Sequence, residues 1–146
     1  MKIAIGSDHA GLELKNYIKS LLENSGVSVT DYGTYSPDRT DYPLYAEKVA
    51  KAVTGNECDR GILFCGTGVG ISIAANKING VRAVVCSDCY SAKLSREHND
   101  TNILALGSRV VGPDLAWMIV DIWINTDYEG DRHQKRIDMI TGFENK

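Results

Sequence analysis

Four short segments of this sequence carry side chains that can move protons or hold anions. Ser7-Asp8-His9 sets a carboxylate beside an imidazole, and Cys65-Gly66-Thr67-Gly68-Val69-Gly70 sets a thiol at the head of a glycine loop. Ser87-Asp88 and Gly107-Ser108-Arg109 add a second acid and a guanidinium. A glycine-rich turn that opens a helix aims several backbone N–H groups at one point, which suits a phosphate or an oxyanion formed during reaction. The same glycines equally suit a tight turn from strand to helix. A thiol in that position can act as a base or a nucleophile, although many cysteines are simply small buried hydrophobes. Arg132 and Arg136 lie four apart and share one helix face with Met139, Ile140 and Phe143. A basic pair on the apolar side of a helix makes a candidate phosphate clamp.

Other chemistries fit less well. The loop offers Gly66 and Gly68 but Ile71 at the third glycine of a dinucleotide fingerprint, and it follows the third strand rather than the first. Asp88 still stands where a ribose-binding acid could lie, which keeps a nucleotide-binding module as the alternative from another class. No Gly-Lys-Ser/Thr follows the loop, so a Walker A site is absent. Cys86 and Cys89 form a C-x-x-C pair without Gly or Pro between them, and Cys58 and Cys65 are poorly spaced as a second zinc pair.

These groups must be held by a scaffold, and the pattern of the chain supplies one. Short β-type runs occur at Lys2–Gly6, Val27–Asp31, Gly61–Phe64, Val81–Cys86 and Asn102–Leu106. Helical spacing intervenes: Leu14, Tyr17, Ile18, Leu21 and Leu22 form one stripe, and Ala46, Val49, Ala50 and Val53 another. Pro43 and Pro113 mark first helical residues, and Gly26 stops the first helix. Alternating strand and helix predicts a doubly wound, Rossmann-like α/β fold with a five-stranded parallel sheet and helices on both faces. All four chemical segments then fall at the carboxyl ends of strands, where such sheets bind ligands. The helix Pro113–Ile124 is apolar nearly all round, which predicts burial and a subunit interface. A last helix, Asp131 to Glu144, has no strand after it and is expected to pack on a partner subunit.

The 146 residues fit a single domain, 1–146, and 43% hydrophobic content is that of a globular chain. A net charge of −3 gives no electrostatic support for nucleic-acid binding. The apolar run at Met1–Ser7 is too short for a secretory signal, and Leu115–Ile124, broken by Asp121, is too short to span a bilayer. The expected compartment is the cytoplasm, with Cys58, Cys65, Cys86 and Cys89 reduced.

Taken together, Gly6-Ser7-Asp8-His9-Ala10-Gly11, Asp41-Tyr42-Pro43, Cys65-Gly66-Thr67-Gly68-Val69-Gly70-Ile71-Ser72, Ala74-Ala75-Asn76-Lys77, Ser95-Arg96-Glu97-His98-Asn99 and Asn102–Gly107 closely resemble the type B ribose-5-phosphate isomerases. The resemblance covers essentially the whole chain and lies within the wider ribose/galactose-6-phosphate isomerase group. It implies an aldose–ketose isomerase of carbohydrate metabolism, in the pentose phosphate pathway, that uses neither cofactor nor metal. Cys65 would move the proton between C1 and C2 through an enediolate, with the N–H groups of Gly66, Thr67, Gly68, Val69 and Gly70 facing it. Thr67 and His98 would open the furanose ring, Asp8 and Asn99 would bind sugar hydroxyls, and Tyr42 would line the pocket. His9, Arg132 and Arg136 would hold the phosphate, with Arg109 nearby. Relatives that use a glutamate as base carry it just past the loop. Ile71-Ser72-Ile73-Ala74-Ala75 contains none, which implies the cysteine subtype. Allose 6-phosphate and galactose 6-phosphate stand as alternative substrates. A homodimer, or a tetramer built from it, is expected to share its active sites between subunits: His98 ends a crossover helix at the edge of the sheet opposite Cys65, so one sugar cannot touch both within one chain.

Overall fold

The computed structural model describes residues 1–146. Five β-rich runs pair side by side as β1 (Lys2–Ser7), β2 (Ser28–Asp31), β3 (Arg60–Cys65), β4 (Ala83–Val85) and β5 (Ile103–Gly107). Every pairing is parallel, in the order β2-β1-β3-β5-β4. The central strands β1, β3 and β5 are buried along almost their whole length, as expected when helices cover both faces of a parallel sheet. The doubly wound expectation is met.

Five helices make these layers: α1 (Leu12–Asn24), α2 (Tyr42–Thr54), α3 (Val69–Ala75), α4 (Cys89–Asn99) and α5 (Pro113–Ile124). One core joins α1, α4 and α5 to the sheet through Ile18, Leu22, Ala92, Ile119 and Trp123. The other joins α2 and α3 through Ala46, Val49, Ala50, Ile71 and Ala75. The chain ends in a 3-10 turn, Asp131–His133, a helix α6 (Gln134–Gly142) and a second 3-10 turn, Phe143–Asn145, where one continuous helix was expected. None of the helices is long and apolar enough to cross a membrane.

Several local expectations are corrected. The fourth strand is only three residues long, and its outer edge is closed by the Asn76 side chain, which donates to the Ala83 carbonyl and accepts from the Ala83 N–H. In α1 the buried face includes Lys15, fully enclosed, while Tyr17 is exposed. The Lys15 ammonium is satisfied by both Asp31 oxygens at 2.7 and 2.8 Å and by the Thr34 carbonyl at 2.7 Å. α5 buries Ala116, Ile119, Val120, Trp123 and Ile124 but leaves Met118 59% exposed, so within one chain it has an outer face. In α6 the buried positions are His133, just before it, and Ile137. The face carrying Arg136, Met139 and Ile140 points outward, with Arg132 and Phe143 exposed beside it. The arginine pair therefore does not lie on the side packed against this chain.

Candidate active site

The strand order reverses at β1: the chain steps from β1 outward to β2, then returns to place β3 on the other side of β1. The crevice at the carboxyl ends of β1 and β3 is the point where such sheets bind ligands. A cavity of about 330 Å³ opens there, lined by Asp8, His9, Ala10, Arg39, Tyr42, Cys65, Gly66, Thr67, Gly70 and Arg109. A larger hollow of about 460 Å³ adjoins it and shares Ala10 and Arg109, but it holds neither the thiol nor the glycine loop, so it is not where the chemistry converges.

Cys65 ends β3 and is 4% exposed. Its Sγ accepts a hydrogen bond from the Gly68 N–H at 3.1 Å, so charge developing on the sulfur meets a donor. The loop is shaped by close approach. Gly68 has φ +79°, and a Cβ there would lie 2.8 Å from Val85 Cγ2 and 2.9 Å from the Leu106 carbonyl carbon. Only glycine fits both the left-handed backbone and that contact. Thr67 is exposed, and its Oγ1 accepts from the Val69 N–H at 3.3 Å. A Cβ on Gly70 would meet the Tyr42 ring at 2.7 Å, so the bare glycine lets Tyr42 cover the loop.

The other wall comes from β1 and β5. Asp8 is buried, and its Oδ1 accepts from the Gly11 N–H at 3.0 Å, fixing the carboxylate at the start of α1. His9 Nδ1 lies 3.2 Å from the Thr40 N and 3.3 Å from the Thr40 O, which holds the ring in either tautomer. Thr40 in turn bonds the Tyr45 hydroxyl at 2.8 Å. Hydrogen bonds from threonines 34 and 40 hold that phenol below its ordinary range. Ser108 donates to the Ala10 carbonyl at 2.7 Å and ties the β5 loop, with Arg109, to the β1 loop. Arg39 is a site residue that sequence reasoning missed. An exposed cation on a long loop has no pattern of its own, and it enters the cavity wall only as the loop passes His9.

The structure thus brings together Asp8, His9, Tyr42, Cys65, Gly66, Thr67, Gly70 and Arg109, with Gly68 and Val69 in the same loop. It does not bring His98, Asn99, Arg132 or Arg136 to them. His98 and Asn99 close α4 only four residues before β5, at the amino edge of the sheet. Asn99 lines a separate cavity of about 270 Å³ with Val81, Arg82 and Thr101. His98 stacks on His133, ring centroids 4.3 Å apart, so the end of α4 and the start of the last helix are neighbours. His98 thus lies beside the turn that carries Arg132 and His133, away from the glycine loop.

The rival readings fare poorly. Asp88 is the N-cap of α4: its carboxylate accepts from the Ser91 N–H at 2.6 Å, which holds it below the usual carboxylate range. β5 also separates β4, the strand before Asp88, from β3, the strand that carries Cys65. Cys86 and Cys89 are free, and burial, then the nearby Asp88 charge, pushes the Cys86 thiol up to about 12. Neither favours a redox pair.

Comparison with known proteins points one way. The family model described as Ribose/Galactose Isomerase matches residues 3–140. The chain is 63% identical over 145 residues to ribose-5-phosphate isomerase B of Escherichia coli K12, covering 99% of this chain and 97% of the relative. Among solved structures, ribose-5-phosphate isomerase B of Clostridium thermocellum superposes with a TM-score of 0.99 at 55% identity, covering 99% and 98% of the two chains. The Mycoplasma genitalium enzyme, solved with bound ribulose 5-phosphate, gives a TM-score of 0.96 at 43% identity over 99% and 97%.

Proposed function

The chain belongs to the ribose/galactose isomerase family, and from that premise we propose that it interconverts ribose 5-phosphate and ribulose 5-phosphate with Cys65 as the base. One observation carries this reading. A thiol sulfur stands at the head of a glycine loop, bonded to the loop's own Gly68 N–H, in a cavity that also holds an acid, an imidazole and two guanidinium groups.

The reaction needs little else. The Cys65 thiolate removes the C2 proton of the open-chain aldose, and the electron pair moves into an enediolate. The same proton returns at C1 while the hydroxyl proton passes between O1 and O2, so no external oxidant or reductant takes part. The Gly68 and Val69 N–H groups are engaged by Cys65 Sγ and Thr67 Oγ1, which leaves those of Gly66, Thr67 and Gly70 for the enediolate oxygen, where they act more strongly on the transition state than on the neutral sugar. Asp8, one oxygen already committed to Gly11, offers the other to a sugar hydroxyl. His9, Arg39 and Arg109 supply positive or donor groups for the phosphate, and anchoring that phosphate positions the reacting carbons.

His98 and Thr67 open the furanose ring, but they come from different copies of the chain. His98, Asn99, Arg132 and Arg136 of one subunit complete the site of the other, in a homodimer with two shared sites. The exposed Met118 of α5, the exposed Met139 and Ile140 of α6, and Phe143 just beyond it are apolar surface for that assembly to cover. As a central enzyme of pentose phosphate metabolism it would work in the cytoplasm. Assays on ribose 5-phosphate, allose 6-phosphate and galactose 6-phosphate test the substrate, and the pentose is expected to give the highest kcat/KM. Cys65→Ala should lower kcat by several powers of ten while calorimetry still detects ribose 5-phosphate binding. Full turnover by that variant would remove Cys65 from the mechanism.

A further inference from the structure

Three elements converge on one small cluster that the isomerisation does not use as a unit. His98 lies in the last turn of α4, Glu129 in the loop after α5, and His133 in the 3-10 turn that precedes α6. Their ligand atoms all lie within 4.8 Å of one another. The backbone holds the cluster in place: the Glu129 N–H donates to the Glu97 carbonyl at 3.1 Å, and the His133 N–H donates to the Gly130 carbonyl at 3.0 Å. His133 is 95% buried, yet its Nε2 has no hydrogen-bond partner. The nearest acceptor, Glu129 Oε2, is 3.4 Å away, and Arg132 competes for it at 3.6 Å. A buried imidazole nitrogen left without a partner is costly and calls for an explanation.

We propose that His98, Glu129 and His133 form a binding site for a divalent transition ion of the zinc type, and that an ion held there takes His98 out of the reaction. The second half rests on the role given to His98 above. Two imidazoles and one carboxylate, with water in the fourth position, are a ligand set that zinc accepts, and imidazole selects zinc-like ions over magnesium or calcium. Tetrahedral bonds of about 2.0–2.1 Å need ligand atoms roughly 3.4 Å apart, so separations of up to 4.8 Å must close by as much as about 1.4 Å. Glu129 is exposed and His98 only half-buried, which leaves both free to make that movement around the fixed His133. The ion would give the His133 Nε2 lone pair its missing partner. It would also occupy a His98 nitrogen and turn the ring away from a sugar in the neighbouring subunit's site. The metal is a brake rather than a participant, since the enediolate chemistry has no step for it.

The test is calorimetric titration of zinc chloride into the Cys65→Ala protein, in which the active-site thiol cannot bind the ion. One zinc per chain is expected, bound roughly tenfold or more weakly after Glu129→Gln or His133→Asn is added. Glu129 is exposed, so its variant tests the site even if His133→Asn does not fold. The cobalt(II) complex should show d–d bands without thiolate charge transfer. No zinc uptake, or uptake unchanged by Glu129→Gln, would overturn the site. Zinc should also inhibit the wild-type enzyme reversibly by EDTA, and Glu129→Gln should relieve it. Equal inhibition of both enzymes would overturn the brake. Zinc bound at the cluster with turnover unaffected would leave the site standing and overturn the brake, whereas full turnover by His98→Ala would refute the role of His98 itself.

Discussion

Mixing two inactive variants tests the shared site directly. Cys65 pairs with Gly107 at the carboxyl end of β5, whereas His98 precedes Ile103 at its start. Four residue steps of about 3.3 Å already separate those ends by roughly 13 Å. Both groups must come within hydrogen-bond reach, roughly 3 Å, of one sugar to act on it. If two subunits each lend half a site, a Cys65→Ala chain paired with a His98→Ala chain holds one doubly damaged site and one intact site. Unfolding and refolding an equal mixture gives about half mixed dimers, each with one of two sites working, hence roughly a quarter of wild-type activity. The assay is a coupled measurement of ribulose 5-phosphate formation, with native mass spectrometry counting the mixed dimers. Mixed dimers without recovered turnover would refute the reasoning, because both residues would then serve the same chain's site or His98 would serve none.

Three further outcomes follow from the same geometry. Arg136→Ala, removing one charge-assisted contact of about 1.5–3 kcal/mol, should raise KM for ribose 5-phosphate roughly ten- to a hundredfold and leave ribose nearly unaffected; equal losses on both sugars would assign the arginine to the interface. Asp31→Ala strands the fully buried Lys15 ammonium and should destabilise the fold by about 3 kcal/mol. Urea unfolding should show it, whereas Lys19→Ala, at 3.8 Å from the same carboxylate and partly exposed, should change little. Burial raises both the Cys86 thiol, from 9.0, and the Tyr32 phenol, from 10.0, to about 12. Their contribution is therefore complete below about pH 9 and is lost as pH rises from there toward 12. Thermal melts across that window should fall, and Cys86→Ala should flatten the early part; an identical slope in the variant would contradict this origin.

Much of this protein is written locally. The five β-rich runs, the proline at the start of α5 and the glycine loop after β3 are consequences of backbone chemistry within a few residues. The placing of Asp8, His9, Cys65 and Arg109 on one edge follows from strand direction alone, because every crossover returns the chain to the same end of the sheet. Tertiary structure decided the rest. Strand alternation cannot reveal that β5 inserts between β3 and β4, and that insertion carries Asp88 away from the thiol. A hydropathy pattern marks Lys15 as solvated, yet Asp31 and Thr34, brought over from β2 and the loop after it, make its burial tolerable. Arg39 enters the site only because Thr40 is held by His9. The α6 stripe had the right period and the wrong inner face: His133 and Ile137 pack inward, and the arginines face out. Periodicity fixes which residues share a helix face, but which face turns inward depends on the surface the helix meets. His98 and His133, 35 positions apart in the chain, meet only because α4 ends where the last helix begins.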